Sequence, residues 1–229
     1  MTGYRRYAIY YAPREGAFAE ATAAWLGWDA STGRAQPHPV LPGLPASVAD
    51  ITAAPRKYGF HGTIKAPFRL VPEARLDDLE EEVAALAQQM PAVVMPGLSL
   101  HRLKGFLALL PEGDETDLMA LAADVVARLD HLRAPLTEAE IARRKPERLS
   151  PRQRTLMEVW GYPHVMEEFR FHLTLSGDLS EGLAEQVAKV LRPWLAPVLP
   201  RPFVIEDLCL FGEDDEGRFH LISRHALSG

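Results

Sequence analysis

Arg56-Lys-Tyr-Gly-Phe-His-Gly-Thr-Ile-Lys-Ala-Pro-Phe68 and Phe169-Arg-Phe-His-Leu-Thr-Leu-Ser-Gly177 share one pattern, Phe-His-x-Thr-aliphatic, at positions 60–64 and 171–175. Both stretches read as β-strands. Side chains alternate faces along a strand, so His61 and Thr63 point one way while Phe60 and Ile64 point the other. The polar row of the first copy runs Lys57, His61, Thr63, Lys65; that of the second runs Arg170, His172, Thr174, Ser176. The surroundings repeat as well. A strand–helix–strand–strand order follows each copy, and a hairpin turn falls 44 residues after His61, at Gly105, and 43 residues after His172, at Asp215. A repeat of this range describes a whole fold. The expectation is an internally duplicated α+β chain with two antiparallel sheets facing a central cleft and helices on one face of each.

Outward from the two copies, the periodicity predicts strands over 4–12, 57–67, 93–103, 106–110, 169–176, 203–211 and 219–223. Helices are predicted over 18–25, 76–90, 115–132 and 181–194, with Gly27 closing the first, and 155–160 is a further amphipathic segment. Five prolines between Ser31 and Pro55 make that segment a loop. One single domain spans 1–229, with repeats of about 57–110 and 169–223 and a basic connecting segment over 133–155. Six cations crowd 143–154: Arg143, Arg144, Lys145, Arg148, Arg152 and Arg154. Such a run reads either as a solvated surface or as a lid whose arginines close over an anion.

Composition narrows the classes. With 229 residues, 47% hydrophobic and 24% charged, the chain has ordinary globular make-up, excluding disordered, collagen-like and coiled-coil readings. The single cysteine, Cys209, supports no internal disulfide and no cysteine zinc cluster. No secretory h-region and no run long enough to span a membrane are seen, so a cytoplasmic protein is expected. A net charge of −6 speaks against long nucleic acid, while leaving room for a small anion in a locally basic cleft. The remaining histidines lack ligand spacing and make no case for a metal.

Paired His/Thr rows flanked by cations suit phosphodiester chemistry. One imidazole takes a proton from water while the other protonates the departing oxygen. Thr63 and Thr174 can donate to non-bridging phosphate oxygens, and Lys65 and Arg170 can neutralise them. β-propensity alone also favours threonine here, and strand lysines and arginines are often solvent charges. Tyr7 and Tyr11, alternating on the first strand, fit either core packing or the floor of a sugar site.

The duplicated His-x-Thr-aliphatic motif resembles the 2H phosphoesterase superfamily, whose members are bilobal and pseudo-symmetric. More narrowly, the two quoted stretches, Leu149-Ser-Pro-Arg-Gln153, Trp160-Gly-Tyr-Pro163, Arg6-Tyr-Ala-Ile-Tyr-Tyr-Ala-Pro13 and Trp25-Leu-Gly27 resemble a family associated with phosphonate metabolism and carbon–phosphorus lyase operons. The resemblance spans essentially the whole chain. It implies His61 and His172 as the acid/base pair, Thr63 and Thr174 as phosphate ligands, and no cofactor or metal. Lys65 and Ser176 occupy equivalent places, so the half-sites differ and either histidine can be the base. The implied substrate is a small cyclic phosphate such as ribose 1,2-cyclic phosphate bearing a 5-phosphate, with Lys57, Lys65 and Arg170 suited to two phosphates. Ser176, Tyr7 and Arg152 are further candidate contacts. Two other readings stand beside this one: processing of RNA-end 2′,3′-cyclic phosphates, and a non-catalytic phosphonate or phosphosugar sensor.

Overall fold

The computed structural model describes residues 3–229. In chain order the strands are β1 (Arg6–Tyr11), β2 (Trp28–Asp29), β3 (Arg34–Ala35), β4 (Gly62–Phe68), β5 (Val93–Met95), β6 (Leu98–Leu103), β7 (Phe106–Pro111), β8 (Leu173–Thr174), β9 (Phe203–Ile205), β10 (Asp207–Glu213) and β11 (Phe219–Ala226). The helices are α1 (Ala17–Leu26), α2 (Val48–Ile51), α3 (Leu76–Ala87), α4 (Thr116–Arg128), α5 (Glu138–Arg143), α6 (Pro151–Trp160) and α7 (Glu181–Leu195). The architecture is α+β and its strand pairings are antiparallel. Among the described residues, no helix is long and apolar enough to cross a membrane.

The two expected sheets are not separate layers across a cleft. They join edge to edge into one seven-stranded sheet, β11-β10-β1-β4-β8-β7-β6. The seam is β4 against β8, at the pair Gly62↔Leu173. Equivalent elements of the repeats pair with each other a second time, β5 with β9, around Val94↔Val204. The hairpins β6–β7 and β10–β11 lie at the two ends of the sheet. A local two-fold relation thus organises the chain, interrupted by β1, which inserts between β10 and β4.

One face of the sheet is the core. Tyr7, Ile9, Tyr11, Ile64, Leu109, Phe171, Leu173 and Leu210 point there, and α3 and α7 cover them with Leu79, Val83, Leu86, Val187, Leu191 and Leu195. The two helices stand in corresponding places of the two repeats, and each buries an i, i+3/i+4 stripe. Trp25 of α1 closes the same core, its Nε1 donating to the Leu175 carbonyl at 2.7 Å. Alternation sends Tyr10 and Ala8 to the other face.

Four predicted strands are shorter or broken; of the stretch over 169–176 only Leu173–Thr174 is strand. The stretch over 93–103 divides at Pro96-Gly97 into β5 and β6, which join different sheets. The stretch over 203–211 divides likewise into β9 and β10 at Glu206. Residues 56–58 form a 3-10 turn rather than the start of β4. Gly59 then turns the chain with φ 68°, a conformation that favours glycine, and a Cβ there would meet the Ala30 Cβ at 2.7 Å. In Leu149-Ser-Pro-Arg-Gln153, Ser150 is the N-cap of α6, Pro151 opens the helix, and Gln153 closes a capping box.

Candidate active site

The sheet face opposite the core opens into a cavity of about 550 Å³. That lies within the roughly 300–1,000 Å³ of small-ligand pockets. His61, Thr63, His172, Thr174 and Ser176 all line it. The seam explains why. Carrying the register of Gly62↔Leu173 one residue each way sets His61 opposite Thr174 and Thr63 opposite His172. The two histidines become diagonal neighbours, a relation in which residues lie roughly 7–8 Å apart across an antiparallel pair. Gly62 permits the close approach: a Cβ there would fall 2.2 Å from the Phe171 ring.

The two imidazoles are held in the same way. His61 Nδ1 lies 2.9 Å from the Gly59 carbonyl, and His172 Nδ1 lies 2.8 Å from the Arg170 carbonyl. A carbonyl only accepts, so each Nδ1 carries its proton and each Nε2 is left for chemistry. Their aromatic surroundings differ. His61 stacks on Tyr10 at 4.0 Å between ring centroids, with Tyr58 at 5.9 Å. His172 has Phe106 at 5.6 Å. Burial pushes the His61 pKa down to about 4, against the Gly59 hydrogen bond and with a small further push from His172. His61 is therefore a neutral imidazole at pH 7.

Several expected contacts lie elsewhere. Lys65 is buried, its Nζ donating to the Val126 carbonyl at 3.1 Å with Asp130 at 3.7 Å. The cause is an irregular ladder. β1 residues Ile9 and Tyr10 face Lys65 and Thr63, so β4 carries an extra residue between them. Such a bulge shifts the alternation, and the cavity receives Thr63, Ala66 and Pro67 instead. Arg170 precedes β8; its guanidinium folds back onto the carbonyls of Glu167 and Phe169, so it serves the site through its main chain. Lys57 is exposed, 4.9 Å over the Tyr58 ring, and lines a different depression. Tyr7 belongs to the core, and Arg152 is an exposed partner of Glu167. Ser176 touches the cavity, but its Oγ is engaged: it accepts from Leu107 N at 2.8 Å and donates to the Gly177 carbonyl at 2.9 Å.

Other cavity residues were not singled out as site residues by sequence reasoning, although Arg143 and Arg144 belong to the basic segment whose alternative reading is a lid over an anion. Arg6 and Tyr10 reach it from β1, Arg143 and Arg144 from the basic segment, and Tyr162 from the turn after α6. For β1 a usable signal existed. The even row Arg6, Ala8, Tyr10 is the lighter and more polar one, opposite the bulky Tyr7, Ile9, Tyr11 row that builds the core. Arg6 is neutralised by Glu213 through contacts of 2.5 and 2.6 Å. Among the described residues, no group of three or more His, Cys, Asp or Glu side chains is placed to hold a metal ion.

Residues 63–220 match the family described as protein of unknown function, DUF1045. The match contains the second His-x-Thr motif and begins two residues after His61. Ribose 1,5-bisphosphate phosphokinase PhnN of Janthinobacterium sp. (strain Marseille) is 35% identical over 222 residues, which is 93% of this chain and 48% of that protein. The protein of the same description from Laribacter hongkongensis (strain HLHK9) is 36% identical over 181 residues, 77% of this chain and 41% of that one. The chain thus spans about half or less of the length of the curated relatives it matches. Solved structures align along almost its whole length but loosely. A phosphoesterase gives 17% identity and a TM-score of 0.44 over 99% of both chains. E. coli LigT complexed with 3′-AMP gives 16% and 0.43 over 98% of both, and the same protein complexed with phosphate gives 16% and 0.42 over 100% of both. By the match over residues 63–220, the chain belongs to the DUF1045 family.

Proposed function

We propose that this chain is a phosphodiesterase that opens a small cyclic phosphate ester, with His61 and His172 as its acid/base pair and no metal. The observation that carries the reading is the pair itself. Two imidazoles from equivalent places on adjacent strands present Nε2 into one cavity, each fixed through Nδ1 on a main-chain carbonyl.

The unequal surroundings favour one division of roles. His61, neutral at pH 7, is the base: its Nε2 takes a proton from water as the water oxygen bonds to phosphorus. His172 is then the acid, giving a proton from Nε2 to the ester oxygen as the P–O bond breaks. The product is a ring-opened phosphomonoester, and solvent returns the two histidines to their starting protonation states. Thr63 and Thr174, beside the opposite histidine in register, donate to the non-bridging oxygens.

The substrate named by the sequence resemblance, ribose 1,2-cyclic phosphate with a 5-phosphate, has support in the description of the curated relatives as ribose 1,5-bisphosphate phosphokinases. Joining two activities on phosphorylated ribose in one longer chain would be consistent with that substrate. A net charge of −6 suits a small ligand better than long nucleic acid.

The deciding experiment is a panel of cyclic phosphates assayed with chelator present, comparing wild type with His61→Ala and His172→Ala. Each substitution is expected to lower kcat/KM by roughly 10²–10⁴-fold, the usual worth of a positioned acid or base. A wild type that binds the esters without opening any of them would make the cavity a sensor and overturn the reading.

A further inference from the structure

The cavity carries positive charge that two-histidine chemistry leaves unused. Arg143 ends α5 and Arg144 caps it, and both line the same cavity as His61 and His172. Among the described residues, Nε of Arg144 is the one buried side-chain polar atom without a hydrogen-bond partner. Its Nη1 donates to the Glu140 main-chain carbonyl at 3.2 Å, and its guanidinium lies 5.7 Å from the Tyr162 ring centre. Arg143 is exposed, with one long contact of 3.4 Å to the Ala139 carbonyl.

The carboxylates of the cavity do not answer this charge. Glu140 is held by both arms of Arg69, at 3.1 and 3.0 Å, and by the Thr137 amide at 2.8 Å, which brings its pKa down to about 2. Asp178 is exposed and packs against Gly105. Arg6 already has Glu213. Burial, with Arg6 and Arg143 close by, pulls the Arg144 pKa below the usual arginine value despite Tyr162 and Glu140. A buried N–H left unmet and a guanidinium left uncompensated are both costly, and a tetrahedral anion relieves both. The planar fork of arginine fits phosphate oxygens in pairs.

We propose that Arg144, with Arg143 and Tyr162 beside it, forms a second anion subsite for a phosphomonoester group on the molecule whose cyclic phosphate lies between His61 and His172. The substrate class is then a small sugar or nucleoside cyclic phosphate bearing a separate terminal phosphate. This rests on the reading of the two histidines as the site of ester opening.

The test uses two matched pairs of probes, adenosine 2′,3′-cyclic phosphate with and without a 5′-phosphate, and ribose 1,2-cyclic phosphate with and without a 5-phosphate. Wild type is expected to favour the phosphorylated member of at least one pair by tenfold or more in kcat/KM. Arg144→Gln is expected to erase most of that preference, lowering kcat/KM on the phosphorylated probe at least tenfold more than on its partner. Because Arg144 is half-buried, Arg143→Gln serves as the second variant, at an exposed position where folding is not at stake. Equal turnover of both members by wild type overturns the subsite while leaving ester opening intact, as does an equal loss on both members in both variants. Should no ester be opened, ribose 5-phosphate binding by calorimetry still decides the subsite. Tight binding weakened at least tenfold in Arg144→Gln supports it, and unchanged affinity overturns it.

Discussion

His61 sits on the Tyr10 ring, and that contact sets when it can act as a base. The stack at 4.0 Å, with Tyr58 5.9 Å away, buries the imidazole and disfavours its charged form. With a folded pKa of about 4 and an ordinary value near 6.5, His61 declines a proton between those limits that the unfolded chain accepts. Its contribution to stability is therefore full above pH 6.5 and falls as the pH drops toward 4. For catalysis, the acid limb of kcat/KM is expected near pH 4 to 5 in wild type, and Tyr10→Ala is expected to move it upward as water returns. A pH–rate series on the two proteins checks this; a wild-type limb at pH 6.5 would show that burial does not lower the pKa of the base. The histidine and threonine identities were legible from the duplicated motif alone. Tyr10 was missed: the lighter even row of β1 marked the face away from the core, but nothing in the sequence placed that face beside His61.

At the scale of elements, the misplaced lysine is the instructive case. Period-two counting groups Lys65 with His61 and Thr63, but β4 carries an extra residue against β1, and Lys65 turns inward to the Val126 carbonyl. Burial lowers its pKa to about 8, with Asp130 partly opposing. Lys65→Met is accordingly expected to keep kcat and KM within about threefold of wild type, since a buried ammonium replaced by an apolar chain of similar length is tolerated where it serves only structure. A loss as large as that of a histidine variant would return Lys65 to the phosphate. A bulge is decided by the strand alongside, and no periodicity within β4 reports it. The Leu149–Gln153 block teaches a related lesson. It caps α6, and the residues of the basic segment that reach the cavity are Arg143 and Arg144.

Over the whole molecule, the repeats share one interior. A single core cluster takes residues from α3 and α7, from β1 and from both hairpins, and the pairings β4 with β8 and β5 with β9 cross between the repeats. Neither repeat closes its sheet or covers its helix without the other. Thermal unfolding is expected to follow one cooperative transition, with calorimetric and van't Hoff enthalpies in agreement. Two resolved transitions would show that the repeats are independent units.

The sequence by itself determined the α+β class, the duplication and the two His-x-Thr motifs, because these are local patterns that recur along the chain. It also fixed the alternation that puts Phe60 and Phe171 behind the histidines. Only the tertiary structure decided that the repeats meet along one seam instead of across a gap, and that Tyr10 backs His61. It alone showed that the cations of the basic segment lining the cavity are Arg143 and Arg144, while Lys57, Lys65 and Arg170 do not line it. Register, bulges and the choice between two faces depend on which strand lies alongside, and that neighbour is set by packing across more than a hundred residues of intervening chain.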